Sequence, residues 1–223
     1  MTAQGKAPTY TGTIRSDAPA PDGRLNAPSA ARNLAPILEV LRRLLPEAGR
    51  AVEFASGTGQ HIAAFAEAFP GIQWTPTDVE PERLSSIEAW RAASGKTNLN
   101  APVLLNVSDS DWPFVAENVD ATLTANLLHL VSQETAQSLF AGAGRLLKPG
   151  GLCIVYGPFM REGQFVSEGD RSFDESLRAM DPAIGYKDKG WVAACAADSG
   201  LRVQEWVEMP ANNLMLVAVK EPA

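Results

Sequence analysis

The stretch Ala51-Val52-Glu53-Phe54-Ala55-Ser56-Gly57-Thr58-Gly59-Gln60-His61 decides how this chain is read. An apolar run ends in an acid, small residues and two spaced glycines follow, and a helical pattern begins. That is a strand, a tight loop and a helix N-terminus. Gly57 and Gly59 have no Cβ and reach positive φ, so the loop lets backbone N–H groups come close to a ligand. Asp78 lies 21 residues after Gly57, at the end of the next apolar run, Ile72 to Thr77. A carboxylate there can accept hydrogen bonds from both hydroxyls of a ribose.

Charge narrows the ligand. A dinucleotide fold sets pyrophosphate over such a loop, yet Glu53 stands just before it and repels phosphate. The third glycine of G-x-G-x-x-G is also replaced, by Ile62. Both features argue against a nicotinamide-dependent oxidoreductase. The loop suits a cationic ligand end joined to a nucleoside, and S-adenosylmethionine, with an ammonium, a sulfonium, a ribose and no phosphate, has that chemistry.

Glu53-x-Ala55-x-Gly57-x-Gly59 resembles the E/D-x-G-x-G-x-G signature of class I S-adenosylmethionine-dependent methyltransferases, with Ala55 in place of the first glycine. Leu146-Leu147-Lys148-Pro149-Gly150-Gly151 is similar to the joint that precedes the fifth strand in that family. The resemblance implies an α/β Rossmann-like three-layer sandwich, with a seven-stranded, mostly parallel sheet and an antiparallel C-terminal strand. It also implies S-adenosylmethionine as cofactor, held by Glu53, Ala55, Ser56, Gly57, Thr58, Gly59 and Asp78.

A chain of 223 residues with 45% hydrophobic content fits one α/β domain. Its net charge of -7 offers no electrostatic footprint for nucleic acid or an anionic membrane surface. No apolar run approaches the ~20 residues that span a bilayer, and no secretory signal is visible. Cys153 and Cys195, each in an apolar run, read as buried thiols in a reducing compartment, so a cytoplasmic address is expected. The absence of C-x-x-C and H-E-x-x-H patterns, with only two histidines, points to no metal site. Nothing in the sequence sets an oligomeric state.

Residues 1–27 are rich in Pro, Gly, Ser and Thr without periodicity, and form either a solvated arm or a lid over the site; the methyltransferase domain is expected over 28–223. A first helix is expected from Asn33 to Leu45. Strand and helix then alternate, with strands at Arg50 to Ala55, Ile72 to Thr77, Pro102 to Val107, Val119 to Ala125 and Leu152 to Tyr156. Ser132 is placed to cap the helix that ends near Leu147. Leu201 to Met209 and Asn213 to Lys220 are joined too tightly for a crossover and must pair as an antiparallel hairpin.

In open α/β sheets the ligand lies beyond the carboxyl ends of the strands, which gathers Asp78, Asn106 to Trp112, Asn126 to His129, Gly157 to Phe159 and Asn212-Asn213 at one edge. By resemblance, Asn106 stands where many class I enzymes hold the adenine amino group with Asp. Trp112 either covers the adenine face or plugs a loop. Asn126 is expected to contact the cofactor. His129, with an ordinary pKa near 6.5, either meets the substrate as a general base or is a structural histidine. His61, at the start of the helix after the glycine loop, either touches the cofactor carboxylate or ends exposed.

The polar stretch Gly157 to Asp188 shows no sustained helix period, and the resemblance to class I methyltransferases implies that it fills the place of a substrate lid. With Arg32-Asn33, Ala55 to His61, Gly142 to Gly151, Tyr156 to Phe159 and Met209 to Leu214, the chain resembles the sparsely characterised family that includes methyltransferase-like protein 26. The likeness runs from Asn26 to Val219, and departs at Ala31, where Glu is expected. The reading is methyl transfer to a small polar substrate, with His129 or Tyr156 nearest the nucleophile and Arg178, Asn212 and Asn213 gripping an anionic acceptor, aided by Lys187. A protein that keeps the fold and the cofactor without activity is the alternative.

Overall fold

The computed structural model describes residues 20–222. Two layers of helix enclose a sheet whose central five strands are mostly parallel. The elements run α1 (Pro28–Leu44), β1 (Gly49–Phe54), α2 (Gln60–Ala68), β2 (Ile72–Asp78), α3 (Pro81–Ser94), β3 (Val103–Leu104), β4 (Val119–Ala125), α4 (Gln133–Leu146), β5 (Leu147–Met160), α5 (Glu168–Met180), β6 (Lys187–Asp188), α6 (Lys189–Asp198), β7 (Leu201–Glu208) and β8 (Asn213–Lys220). The strand order is β3-β2-β1-β4-β5-β8-β7, with β6 pairing the end of β5. β8 is antiparallel to both β5 and β7. The chain winds outward from β1 to β3 and then returns to β4, so the order reverses between β1 and β4.

Alternation along the strands divides the core. Val52, Phe54, Cys153 and Val155 face α4 and α6, where Phe140 and Val192 lie fully buried. Ala51, Ile154 and Tyr156 face the other way, against Ile37 of α1, Phe65 of α2 and Ile87 of α3. One residue along a strand changes the layer, which is why the two clusters share no side chain.

Four boundaries differ from the sequence reading. α1 starts at Pro28, where proline fits the first turn because that N–H has no intrahelical partner. β3 keeps only two residues, because the Asn106 side chain accepts from Ser108 N at 3.1 Å and turns the chain away. β5 begins at Leu147 rather than Leu152, with a register shift opposite Val119 to Ala121 absorbing the Lys148-Pro149-Gly150-Gly151 joint. The polar stretch contains α5, capped by Ser167, whose hydroxyl accepts from Asp170 N at 3.2 Å.

Residues 1–19 of the expected arm lie outside the described residues. The segment 24–27 is docked: Leu25 N donates to Ser86 Oγ at 2.8 Å, Trp90 Nε1 donates to Leu25 O at 3.0 Å, and the Arg24 guanidinium lies 4.7 Å from the Trp90 ring centroid. Ala27 N reaches the Gln60 side chain. These contacts hold the entry to α1 against α2 and α3.

Candidate active site

Where the strand order reverses, the carboxyl ends of the strands leave a cavity of about 480 Å³, within the range of small-molecule sites. The loop after β1 forms its base. Ala55 carries φ 52°, a left-handed conformation that explains why a glycine suits that position better. Asn126, at the end of β4, and Ala211, in the β7–β8 turn, have φ 60° and 57°. All three line the cavity, so strained non-glycine backbone gathers where strand ends meet the site.

Glu53 is the most perturbed acid of the site. It is 1% exposed, and burial pushes its carboxyl up to about 8. Its Oε2 has no hydrogen-bond partner. Asp78 is also buried and shifted upward by burial, but it is tied to backbone: Oδ2 accepts from Gly57 N at 2.9 Å, and Oδ1 from Val79 N at 2.8 Å and Glu80 N at 3.1 Å. Asn106 lines the neighbouring wall and donates to Asp109 Oδ1 at 3.2 Å.

Glu53, Ala55, Ser56, Gly57, Thr58, Asp78, Asn106, Asn126, His129 and Asn213 all reach the cavity, so most of the expected residues converge. Five do not. Gly59 lies off the lining at the start of α2, where a Cβ would stand 2.9 Å from Ile87 Cα; its service is close packing of α2 on α3. Trp112 covers Gly142 of α4 and meets Phe54 edge to face at 5.0 Å, which makes it a core plug and not an adenine cover. Tyr156 points to the α1 layer, beside Asn33 and 2% exposed, and does not line the cavity. Arg178 pairs with Asp174 at 2.7 Å, and Asn212 donates to Asp170 Oδ2 at 3.0 Å, so both brace α5. Lys187, 4% exposed, donates to the carbonyls of Val131 and Gly185, away from the lining.

The two histidines also differ from expectation. His61 is buried under α1, its Nε2 2.7 Å from Asn33 Oδ1, and burial lowers it to about 4. His129 is lowered to about 3, first by burial and then by the Lys187 charge, and its Nδ1 is buried without a partner. Both are neutral imidazoles at physiological pH. A general base with an ordinary histidine pKa is therefore absent from this position.

Sequence reasoning missed several lining residues. Arg32 is an exposed cation on the first turns of α1, quoted in the motif but given no role. Arg83 and Glu80 flank Asp78, 3.7 Å apart, with Arg83 Nη1 buried and unpartnered. Their helical spacing just after Asp78 was the available signal. Phe173 and Tyr186 form part of the far wall; recognising α5 would have revealed Phe173, and Tyr186 enters from the segment before β6.

The strand order, the carboxyl-edge cavity and the acid-loop-acid arrangement define a class I S-adenosylmethionine-dependent methyltransferase fold. Solved structures agree at low identity. An O-methyltransferase family protein from Burkholderia thailandensis superposes with TM-score 0.72 at 17% identity, over 85% of this chain and 56% of that one. A chain of the complex between the Haloferax volcanii Trm112 methyltransferase activator and the putative methyltransferase gives 0.70 at 17%, over 86% and 92%. Geranyl diphosphate C-methyltransferase from Streptomyces coelicolor A3(2), in complex with Mg2+, geranyl diphosphate and S-adenosyl-L-homocysteine, gives 0.68 at 15%, over 83% and 79%. This chain thus spans little more than half the length of the Burkholderia protein. Residues 24–220 match the family model DUF938, described as a protein of unknown function, and the chain belongs to that family.

Proposed function

We propose that this protein is an S-adenosylmethionine-dependent methyltransferase for a small polar acceptor, within the likeness to methyltransferase-like protein 26. The observation that carries this is Glu53: a buried carboxyl with an orphan oxygen on the lining of the cavity, where a cationic ligand end would supply the missing partner. The fit extends around the cavity. Glu53 suits an ammonium, and the exposed Arg32 guanidinium suits the carboxylate of the same amino-acid end. Asp78 keeps lone-pair capacity for a ribose hydroxyl beside Glu80, because its backbone bonds number three and a carboxylate offers about four sites. Asn106 has a side-chain amide for an adenine edge, with Leu105 and Val107 lining the same wall.

When bound, the cofactor supplies an electrophilic methyl on a sulfonium, open to in-line displacement. The chain's own part is positioning, which can supply much of the rate once the acceptor sits about 3 to 3.5 Å from the reacting carbon. Asn126 and Asn213 provide neutral polar contacts near the acceptor end. His129, lowered to about 3 by burial and the Lys187 charge, is a weak base and orients rather than deprotonates. The acidic net charge and the size of the cavity favour a small acceptor over nucleic acid. Among the described residues, no helix is long and apolar enough to cross a membrane.

Calorimetric titration with S-adenosylmethionine, S-adenosylhomocysteine and NAD tests the reading. Binding of both adenosyl compounds, with NAD much weaker, is expected. No heat with either, or preference for NAD, overturns it. Cofactor binding without turnover across thiols, amines and hydroxy compounds would instead identify a cofactor-binding protein that has lost its activity.

A further inference from the structure

The acceptor end of the cavity is walled by three rings from three separate segments. His129 belongs to the short 3-10 turn Leu128–Leu130, Phe173 to α5 and Tyr186 to the strand entry before β6. Ring centroids stand 5.8 Å apart for His129 and Phe173, 6.1 Å for His129 and Tyr186, and 6.2 Å for Phe173 and Tyr186. The planes cross at 58°, 64° and 75°, so the rings meet as an open corner and do not stack on one another. His129 and Tyr186 are each 6% exposed, whereas Phe173 lines the same cavity at 41%. An apolar ring left uncovered beside two buried ones marks a face that a ligand would cover.

The charged side chains around this corner already hold hydrogen-bond partners within the protein, and Asp174 and Arg178 form an ion pair. Asp174 accepts from Tyr186 N at 2.6 Å and from Arg178 Nε at 2.7 Å. Lys187 is held by two carbonyls, and Asp170 accepts from Asn212, Ser167 and, at 3.4 Å, Tyr186 Oη. This polar framework fixes the rings and leaves neutral groups, His129, Asn126 and Asn213, facing the cavity beside them. Asn213 donates its Nδ2 to Pro210 O and Ala211 O, which leaves Oδ1 as an acceptor.

We infer that the acceptor is a planar aromatic ring bearing an uncharged hydrogen-bonding nucleophile, with its ring against Phe173 in the corner formed by His129 and Tyr186. This rests on the methyltransferase reading for the identity of the site, and it replaces the anionic grip that Arg178 and Lys187 cannot supply. Edge-to-face contact with three rings selects an aromatic ring over a saturated one of the same skeleton, and charged groups already engaged by the framework offer an ionic ligand no counter-ion in the corner.

The test uses the full chain, with and without saturating S-adenosylhomocysteine, and follows binding of 2-naphthol, decahydro-2-naphthol and choline by saturation-transfer NMR. Binding of 2-naphthol at least tenfold tighter than either other probe is expected. Phe173→Ala should abolish that preference and Phe173→Tyr should retain it, while both variants keep S-adenosylhomocysteine affinity within twofold. Equal binding of the saturated alcohol, tighter binding of choline, or an unchanged preference in Phe173→Ala overturns the inference. Failure of S-adenosylhomocysteine to bind overturns the methyltransferase reading instead, and the naphthol preference without it still decides the nature of the wall.

Discussion

The backbone N–H of Gly57 donates to the Asp78 carboxylate at 2.9 Å, tying the loop after β1 to the end of β2. The acid that the sequence assigns to a ribose is thus also a strut between two strand ends. Asp78→Ala would leave the N–H groups of Gly57, Val79 and Glu80 without this partner. Thermal denaturation should show a loss of about 1.5 to 3 kcal/mol, and S-adenosylhomocysteine should bind correspondingly less tightly. A folded mutant with unchanged melting but weaker binding would confine Asp78 to the ligand, and unchanged binding would remove it from the site.

The two glycines of the loop should separate binding from folding. A Cβ on Gly57 would meet no protein atom within 4 Å, while one on Gly59 would stand 2.9 Å from Ile87 Cα and 3.2 Å from Trp90 Cδ1. Both positions have positive φ, so each alanine carries a backbone strain of about 1 to 2 kcal/mol. Gly57→Ala should fold with no more than that loss yet bind the cofactor poorly, because the new methyl projects from the lining. Gly59→Ala adds a collision with α3 and should destabilise more. Equal melting temperatures for the two variants would contradict this division.

The legible parts of the fold were those written in local pattern. The β1 loop, the Ser132 cap and the β7–β8 hairpin follow from period, glycine spacing and connection length, and the structure has each of them. α5 escaped although Phe173, Leu177 and Met180 stand at i, i+4 and i+7, because this three-residue stripe sits inside a long polar stretch whose remaining residues keep no period. Tyr156 was misplaced because strand ends reveal depth along the sheet but not face: it pairs with Ala125 in register and points to α1, one step from Val155 on the other side. His61 looked exposed because α1, which covers it through Asn33, comes from 28 residues earlier in the chain.

Glu53 and the histidines should place maximum stability near pH 6.5, checked by thermal denaturation between pH 4 and 8.5. His61 and His129 fall to about 4 and 3 in the fold, so the unfolded chain binds more protons below 6.5 and acid destabilises. Glu53 rises to about 8, so its stabilisation is complete below its unfolded value near 4.5 and is lost as pH rises through 8. Between pH 6.5 and 7.5 only this second effect remains large, and it should remove about 1 kcal/mol. Glu53→Gln should flatten that fall. Because a cationic ligand favours the ionised carboxyl, S-adenosylmethionine should bind the wild type up to tenfold tighter per pH unit over the same range, and the Gln variant with no such slope. A wild-type affinity independent of pH would detach Glu53 from the ammonium.

His129 decides whether the protein supplies a base. The chain has two histidines, so imidazole Cε1–H resonances can be followed without ambiguity once His61→Asn or His129→Asn assigns them. His129 sits beneath Phe173 and Tyr186 with Nδ1 sealed and Lys187 close enough to repel a second positive charge. Its resonance should stay flat from pH 5 to 8. A neutral imidazole lowered to about 3 is too weak an acceptor of protons to ionise a phenol, whose ordinary pKa is about 10, before attack. The acceptor's own ionisation should therefore set the pH dependence of turnover, and methylation should rise with pH toward that value with no inflection near 6.5. His129→Gln, which keeps a polar group against Gly157, should lose positioning and hence rate without shifting the profile. A sigmoidal His129 titration centred near 6.5, matched by an inflection in the rate that the variant abolishes, would restore the general base and show that ligand or solvent reaches Nδ1.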